Sequence, residues 1–200
     1  MTMNCKAGMR EMRERPIIFS DEMVRAILAG NKTQTRRVVK PQPVLGKPWK
    51  NWFTVDPVNV DIPRQYCPYG LKGDRLWVRE KFSISGNGYF YSDESDGTVK
   101  VAWSSPIHMP RKASRIMLEI TNVRVERLQE ISETDAKAEG VIVTEGHINC
   151  ERLFSELRPD LEKISAAQQA FSDGWDKLNA KRGFSWDSNP WVWVIEFKKL

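Results

Sequence analysis

Ser114-Arg115-Ile116-Met117-Leu118-Glu119-Ile120-Thr121-Asn122-Val123-Arg124-Val125-Glu126-Arg127-Leu128 reads as one long strand whose phase changes midway. Ile116, Leu118 and Ile120 share one face, whereas Val123 and Val125 take the opposite parity. Successive side chains of a strand point to opposite faces, so keeping both sets in one core needs an extra residue near Thr121-Asn122. Such a bulge bends and twists the strand, as at the corner of a barrel.

The flanking pattern supplies partners. Gly73-Asp74-Arg75-Leu76-Trp77-Val78-Arg79-Glu80 alternates with Leu76 and Val78 on one face, and Arg15 to Phe19 reads as a short first strand. Tyr89 to Tyr91 and Val99 to Trp103 are expected to pair as a hairpin around Asp93 to Gly97. The closing Pro190-Trp191-Val192-Trp193-Val194-Ile195-Glu196-Phe197 is apolar on both faces at its start, which predicts a central strand.

Helices are marked by caps. Ser20 opens the first, with Met23, Val24, Ile27 and Leu28 on one face and Gly30 just past its end. Ile131 to Gly140 is a compact cassette: Ser132 caps, Asp135 takes the reciprocal capping position, Ile131 and Ala136 form a staple and Gly140 closes. Leu161, Ile164, Gln168, Phe171, Trp175 and Leu178 form a helical stripe suited to docking on the core, with Gln168 its exception. The prolines between Pro41 and Gly70 block regular structure there, while Trp49, Trp52 and Phe53 predict an insertion folded against the body.

At 200 residues the chain is ample for one core. The expected organisation is a tail over 1–14 and a single domain over 15–200, with insertions near 41–70 and 142–185. The net charge of +5 falls within the first forty residues, part in the tail and part around Lys32. Three scattered cysteines and two histidines support neither a disulfide framework nor a metal site, and no cofactor is implied. The chain shows no apolar run long enough to span a bilayer and no secretory signal; the expectation is a cytoplasmic protein without a membrane partner.

Gly30-Asn31-Lys32-Thr33-Gln34-Thr35-Arg36-Arg37 brings an amine, a hydroxyl and two guanidinium groups together beside the first helix. A threonine becomes a nucleophile when a base removes its proton, and a lysine serves once desolvation or nearby cations lower its pKa. The same residues also read as phosphate contacts, as a turn, or as solvated charge. Glu139 falls in the last turn of its cassette, where the helix dipole disfavours a carboxylate unless it is paired or used.

Four blocks in order resemble the ASCH domains of the PUA-like superfamily, in particular a group of phage and prophage proteins. They are Gly30-x-Lys32-x-x-Thr35-x-Arg37, Gly73 to Glu80, Ile131 to Gly140, and Trp193-Val194-Ile195-Glu196-Phe197. The resemblance implies an α+β fold, a PUA-like, mostly antiparallel β-barrel with flanking helices and a cleft for a nucleotide or nucleic acid. Within that family, enzymes that hydrolyse N4-acetylcytidine use a lysine, a threonine and a glutamate. By motif position these correspond to Lys32, Thr35 and Glu139.

The expected substrate contacts are Arg36, Arg37, Trp77, Arg79, Glu80, His108 and Arg111. Trp77 is placed to stack on a base, and the arginines to meet phosphate or carboxylate. His108 and Arg111 lie in the basic, proline-braced Ser105 to Lys112 loop. The expected partner is a modified nucleoside or single-stranded RNA or DNA. A non-catalytic RNA or DNA binder and a metal-independent ribonuclease stay open as alternatives.

Overall fold

Burial of one face of each short element is what assembles this chain, beginning with strand Glu14–Ile18 (β1). Ser20 caps helix Asp21–Leu28 (α1) by accepting from the Met23 amide, and Asp21 and Glu22 complement the dipole. Val24 and Ile27 enter the core, Met23 follows partly, and Leu28 stays exposed. Gly30, at φ 79°, turns the chain into strand Gln34–Val38 (β2), so most of the basic run is a strand. The computed structural model describes residues 11–44, 48–49, 53–54, 64–86, 88–95, 101–149 and 164–200.

Pro48–Trp49 (β3) and Phe53–Thr54 (β4) form a small ladder of their own. Arg75–Arg79 (β5) is followed by Phe82–Ser85 (β6) and Gly88–Tyr91 (β7), which pair as a hairpin. The expected pairing of Tyr89 to Tyr91 with Val99 to Trp103 is thereby corrected, because Ser85 pairs with Gly88 and Gly86, at φ 59°, turns the chain back directly after β6. Ser104 instead bridges to Phe82.

Met117–Arg127 (β8) carries the expected bulge, with its register slipping between Ile120 and Asn122. Leu118, Ile120 and Val123 are consequently all buried. Glu133–Ala138 (α2) starts at the Ser132 cap. Helix Ala166–Asn179 (α3) begins later than the apolar stripe suggests, because Ser165 and Gln168 form its capping box. Gln168 is therefore a start signal rather than a gap in the stripe. Ile164 lies exposed before the helix, Leu178 is exposed within it, and Leu161 falls outside the described residues.

Trp191–Lys199 (β9) completes a five-stranded sheet in the order β1-β5-β8-β9-β2. Only the β1–β5 pair is parallel. Trp193, Ile195 and Phe197 join Ile17, Phe19, Leu76, Val78 and α1 in one core cluster, while Val192 and Val194 join Phe171 and Trp175 of α3 in another. This two-sided burial explains the continuous apolar run of β9.

The fold is mixed α+β, and among the described residues no ladder joins the end strands β1 and β2. Side chains span that gap: Arg37 Nη2 donates to the Ile18 carbonyl at 2.7 Å, and its guanidinium lies 5.2 Å from the Phe19 ring centre. No helix among the described residues is long and apolar enough to cross a membrane.

Candidate functional site

Two helix ends meet beside β2. The last turn of α1 presents the Ala26 carbonyl to the amides of Asn31 and Lys32, and the Thr33 amide reaches Ala138 at the end of α2. Gly140, at φ 76°, makes the approach possible, since a Cβ there would lie 2.8 Å from Lys32 Cβ and 2.9 Å from Ala26 Cβ. Lys32 and Glu139, 107 positions apart in sequence, are thereby held in a β-bridge.

Their side chains close the contact. Lys32 Nζ donates to Glu139 Oε2 and to the Glu139 carbonyl, both at 2.8 Å, and lies 5.7 Å from the Phe19 ring centre. The amine and the carboxylate are 1% and 5% exposed, so this is a buried ion pair. Burial pushes the Lys32 amine below its ordinary value, and Arg37 and Arg36 add to that push. Glu139 opposes it.

Arg36 supports Glu139 from the other face of β2. Its Nη1 donates to Glu139 Oε1 at 3.2 Å, its Nη2 to Asp135 Oδ2 at 2.9 Å, and its Nε to Glu126 Oε1 at 3.0 Å. Arg124 adds Nη2 to Asp135 at 2.5 Å and a bond to Glu196. The Asp135 side chain is thus drawn to two arginines, and the expected reciprocal cap is not its role.

The pairing register assigns the faces. Thr35 lies opposite Ile195 and Arg37 opposite Trp193, both in the cluster that contains Phe19. Arg36 lies opposite Val194, in the cluster of α3. Thr35 is buried, and its hydroxyl makes no hydrogen bond among the described residues. Thr35 and Arg37 therefore share one side of β2, and Lys32, which precedes the strand, brings its amine to the Phe19 ring of the same cluster, where Glu139 meets it.

The other expected contacts sit elsewhere. Trp77 is half-buried on the face of β5 opposite Leu76 and Val78, with the guanidinium carbons of Arg79 and Arg111 at 5.1 Å and 5.9 Å from its ring. Arg79 donates to the Met109 carbonyl, and Arg111 pairs with Glu14. His108 is exposed in the loop before Met109. Glu80 is buried and held by Arg115 through bonds of 3.1 Å and 2.8 Å, with Asp93 on the same guanidinium. Burial raises the Glu80 carboxyl above the usual range against the pull of Arg115.

Reading the sequence missed the carboxylate partners of Arg36 and Arg124. The signal was parity: Arg124 and Glu126 sit opposite Val194 and Val192, so charged side chains on an otherwise buried face had to pair with one another. Among the described residues no group of three or more histidine, cysteine, aspartate or glutamate side chains is placed to hold a metal ion.

No protein-family model matches the chain, and no curated protein matches it. Among solved structures it is similar to an ASCH domain from Lactobacillus crispatus JV V101, at 12% identity and a TM-score of 0.44, over 94% of this chain and 79% of that one. It is also similar to a DUF984 protein from Enterococcus faecalis V583, at 12% identity and a TM-score of 0.38, over 95% of this chain and 81% of that one. A hypothetical protein, PH0355, gives 8% identity and a TM-score of 0.31, over 94% of this chain and 99% of that one. At these values none of the three assigns the chain to a family.

Proposed function

We propose that this chain is an ASCH-type protein of the PUA-like superfamily that binds a modified nucleoside and hydrolyses an acyl amide on its base, as in N4-acetylcytidine. The observation that carries the reading is the buried Lys32–Glu139 pair, with the buried Thr35 hydroxyl three residues along the chain, unbonded among the described residues. Isolated buried charges cost several kcal/mol each, on the order of what a fold can spare, so such a pair beside a reactive group fits chemistry better than stability.

In this reading Lys32 acts in its neutral form. It takes the proton from Thr35 as Oγ1 attacks the amide carbonyl carbon, Glu139 relays that proton to the departing base nitrogen, and water then releases the acid from the threonine ester. A shift of the substrate-bound Lys32 amine toward Thr35 is required, because its present bonds go to Glu139.

The test is acetate release from N4-acetylcytidine by wild type and Thr35→Val, a substitution that keeps shape and removes only the hydroxyl. Turnover by wild type that disappears in the variant supports the reading; equal turnover refutes it. Trp77 under two arginines favours a second reading, a nucleic-acid binder without catalysis. Oligonucleotide affinity that falls steeply with salt, without turnover or strand cleavage, would select it.

A further inference from the structure

We propose that Arg124 is a positioning residue for the Lys32–Glu139 site. By sharing Asp135 and Glu126 with Arg36, it holds that guanidinium with Nη1 turned to Glu139, and so fixes which carboxylate oxygen meets the lysine amine. The inference rests on the acyl-amide reading for the reaction served, whereas the geometry that carries it is independent of any substrate.

Strand pairing places the two arginines in one row. Arg124 of β8 and Arg36 of β2 both lie opposite Val194 of β9, which belongs to the cluster under α3. Residues paired across a sheet point to the same side, so both guanidinium groups stand on that face. The bulge delivers Arg124 there. With no extra residue between Ile120 and Asn122, it would keep the parity of Ile120 and point into the opposite core.

Each carboxylate oxygen of the network then has its own donor. Arg124 Nε donates to Glu126 Oε2 at 3.1 Å, its Nη2 to Asp135 Oδ2 at 2.5 Å, and its Nη1 to Glu196 Oε1. Arg36 donates to the other Glu126 oxygen from Nε at 3.0 Å and from Nη2, and Nη2 also reaches Asp135 Oδ2 at 2.9 Å. Nη1 is left for Glu139 Oε1 at 3.2 Å, which leaves Oε2 to Lys32 at 2.8 Å. Asp135 lies one turn before Glu139, and Gln34 Nε2 holds its carbonyl at 2.7 Å. Arg124 therefore ties down the turn that carries the site's carboxylate.

Charge points the same way. Four carboxylates, Glu126, Asp135, Glu139 and Glu196, meet three cations, Lys32, Arg36 and Arg124. The Phe19 ring stands beside the Lys32 amine and the Phe171 ring of α3 beside the Arg36 guanidinium. Burial, and after it the charges of Arg37 and Arg36, hold the amine below its ordinary value against the pull of Glu139. Without Arg124, Asp135 and Glu126 keep Arg36 as their shared donor and draw it from Glu139, and the excess of negative charge grows by one. Both changes favour the charged amine. Arg124 thus keeps Lys32 nearer the neutral form that can accept a proton. Its side chain is 27% exposed where Arg36 is fully buried, so its removal admits water rather than stranding a buried charge.

The experiment titrates the Lys32 amine by nitrogen NMR, its resonance identified by its loss in Lys32→Arg. The proteins are wild type, Arg124→Met, Glu196→Gln and Lys112→Met, the last removing an exposed cation from the loop before β8. The amine is expected to titrate about one unit higher in Arg124→Met. In Glu196→Gln it should titrate lower than in wild type, because negative charge is lost on the far side of Arg124 while Arg36 and Glu139 stay untouched. Lys112→Met should leave it in place. With N4-acetylcytidine, the one-unit rise corresponds to about tenfold slower turnover by Arg124→Met at a pH below both values, and to recovery of the wild-type rate above them. A merely structural arginine would slow turnover by one factor at every pH.

If wild type releases no acetate while the Lys32 titration still moves up in Arg124→Met and down in Glu196→Gln, the positioning role stands and the acyl-amide reading fails. A titration that both variants leave unmoved, or shift in the same direction, overturns the proposal. So does a turnover defect in Arg124→Met that persists undiminished at high pH. If Arg124→Met does not fold, Glu196→Gln decides alone: a downward shift supports the role, and none overturns it.

Discussion

Gly140→Ala probes the contact on which the whole site depends. The native φ of 76° is strained for any residue with a Cβ, at a cost of about 1–2 kcal/mol. Added to this is a collision, since the new carbon would lie 2.8 Å from Lys32 Cβ and 2.9 Å from Ala26 Cβ. Overpacking of that kind costs roughly 1–3 kcal/mol more. Gly183→Ala provides the control, because it has φ 81° and open space where the methyl would go. Urea unfolding of both variants should place Gly140→Ala about 1–3 kcal/mol below Gly183→Ala, a melting difference of roughly 2–12 °C for a chain of this size. The displaced Lys32 stem should also weaken acetate release in Gly140→Ala at temperatures where the protein stays folded. Equal destabilisation of the two variants would refute the close approach of α1, Lys32 and α2.

Three further outcomes are expected. Thr35→Val should keep the melting temperature of the parent, because the lost hydroxyl has no bonded partner among the described residues, while acetate release falls at least about a thousandfold; retained turnover would remove Thr35 from the chemistry. Arg36→Met leaves Glu126, Asp135 and Glu139 facing one another without their shared cation, and should lose about 3–5 kcal/mol in denaturant unfolding at neutral pH, where a loss below 1 kcal/mol would show the cluster to be solvated. Burial raises the Cys67 thiol from 9.0 to about 11, so the folded state holds its proton over a range where the unfolded state gives it up. Its contribution is complete below pH 9 and declines as pH rises toward 11, by on the order of 2 kcal/mol. The stability difference between wild type and Cys67→Ala should therefore narrow across that interval, and a constant difference would count against the shift.

The elements most legible in the sequence are those where a local signal and the packing agree. Ser20 and Ser132 cap as their positions suggest, and the parity change at Thr121-Asn122 becomes a bulge because only an added residue puts Ile120 and Val123 in one core. What escaped reading depends on distant partners. Gln34 to Val38 is too polar to announce a strand, and becomes one because β9 offers a free edge that its backbone completes. Asp135 looked like a capping residue, but two arginines from the sheet outcompete the local amide.

The same competition explains why the charges gather around β2. Among the described residues no strand pairs with the outer edge of β2, and Lys32, Thr33 and the end of α2 lie at its beginning. A carboxylate at the end of α2 is unfavourable against the helix dipole, and a buried lysine amine is unfavourable alone; placed together, each relieves the other. Arg36 then holds the carboxylate from behind, leaving the amine as the group with protons to exchange. Replacing the pair by apolar side chains of similar volume would cost the fold little. A chain that keeps them, next to the strand that carries Thr35 and Arg37, retains groups suited to proton transfer and anion binding at a place where packing alone asks for neither.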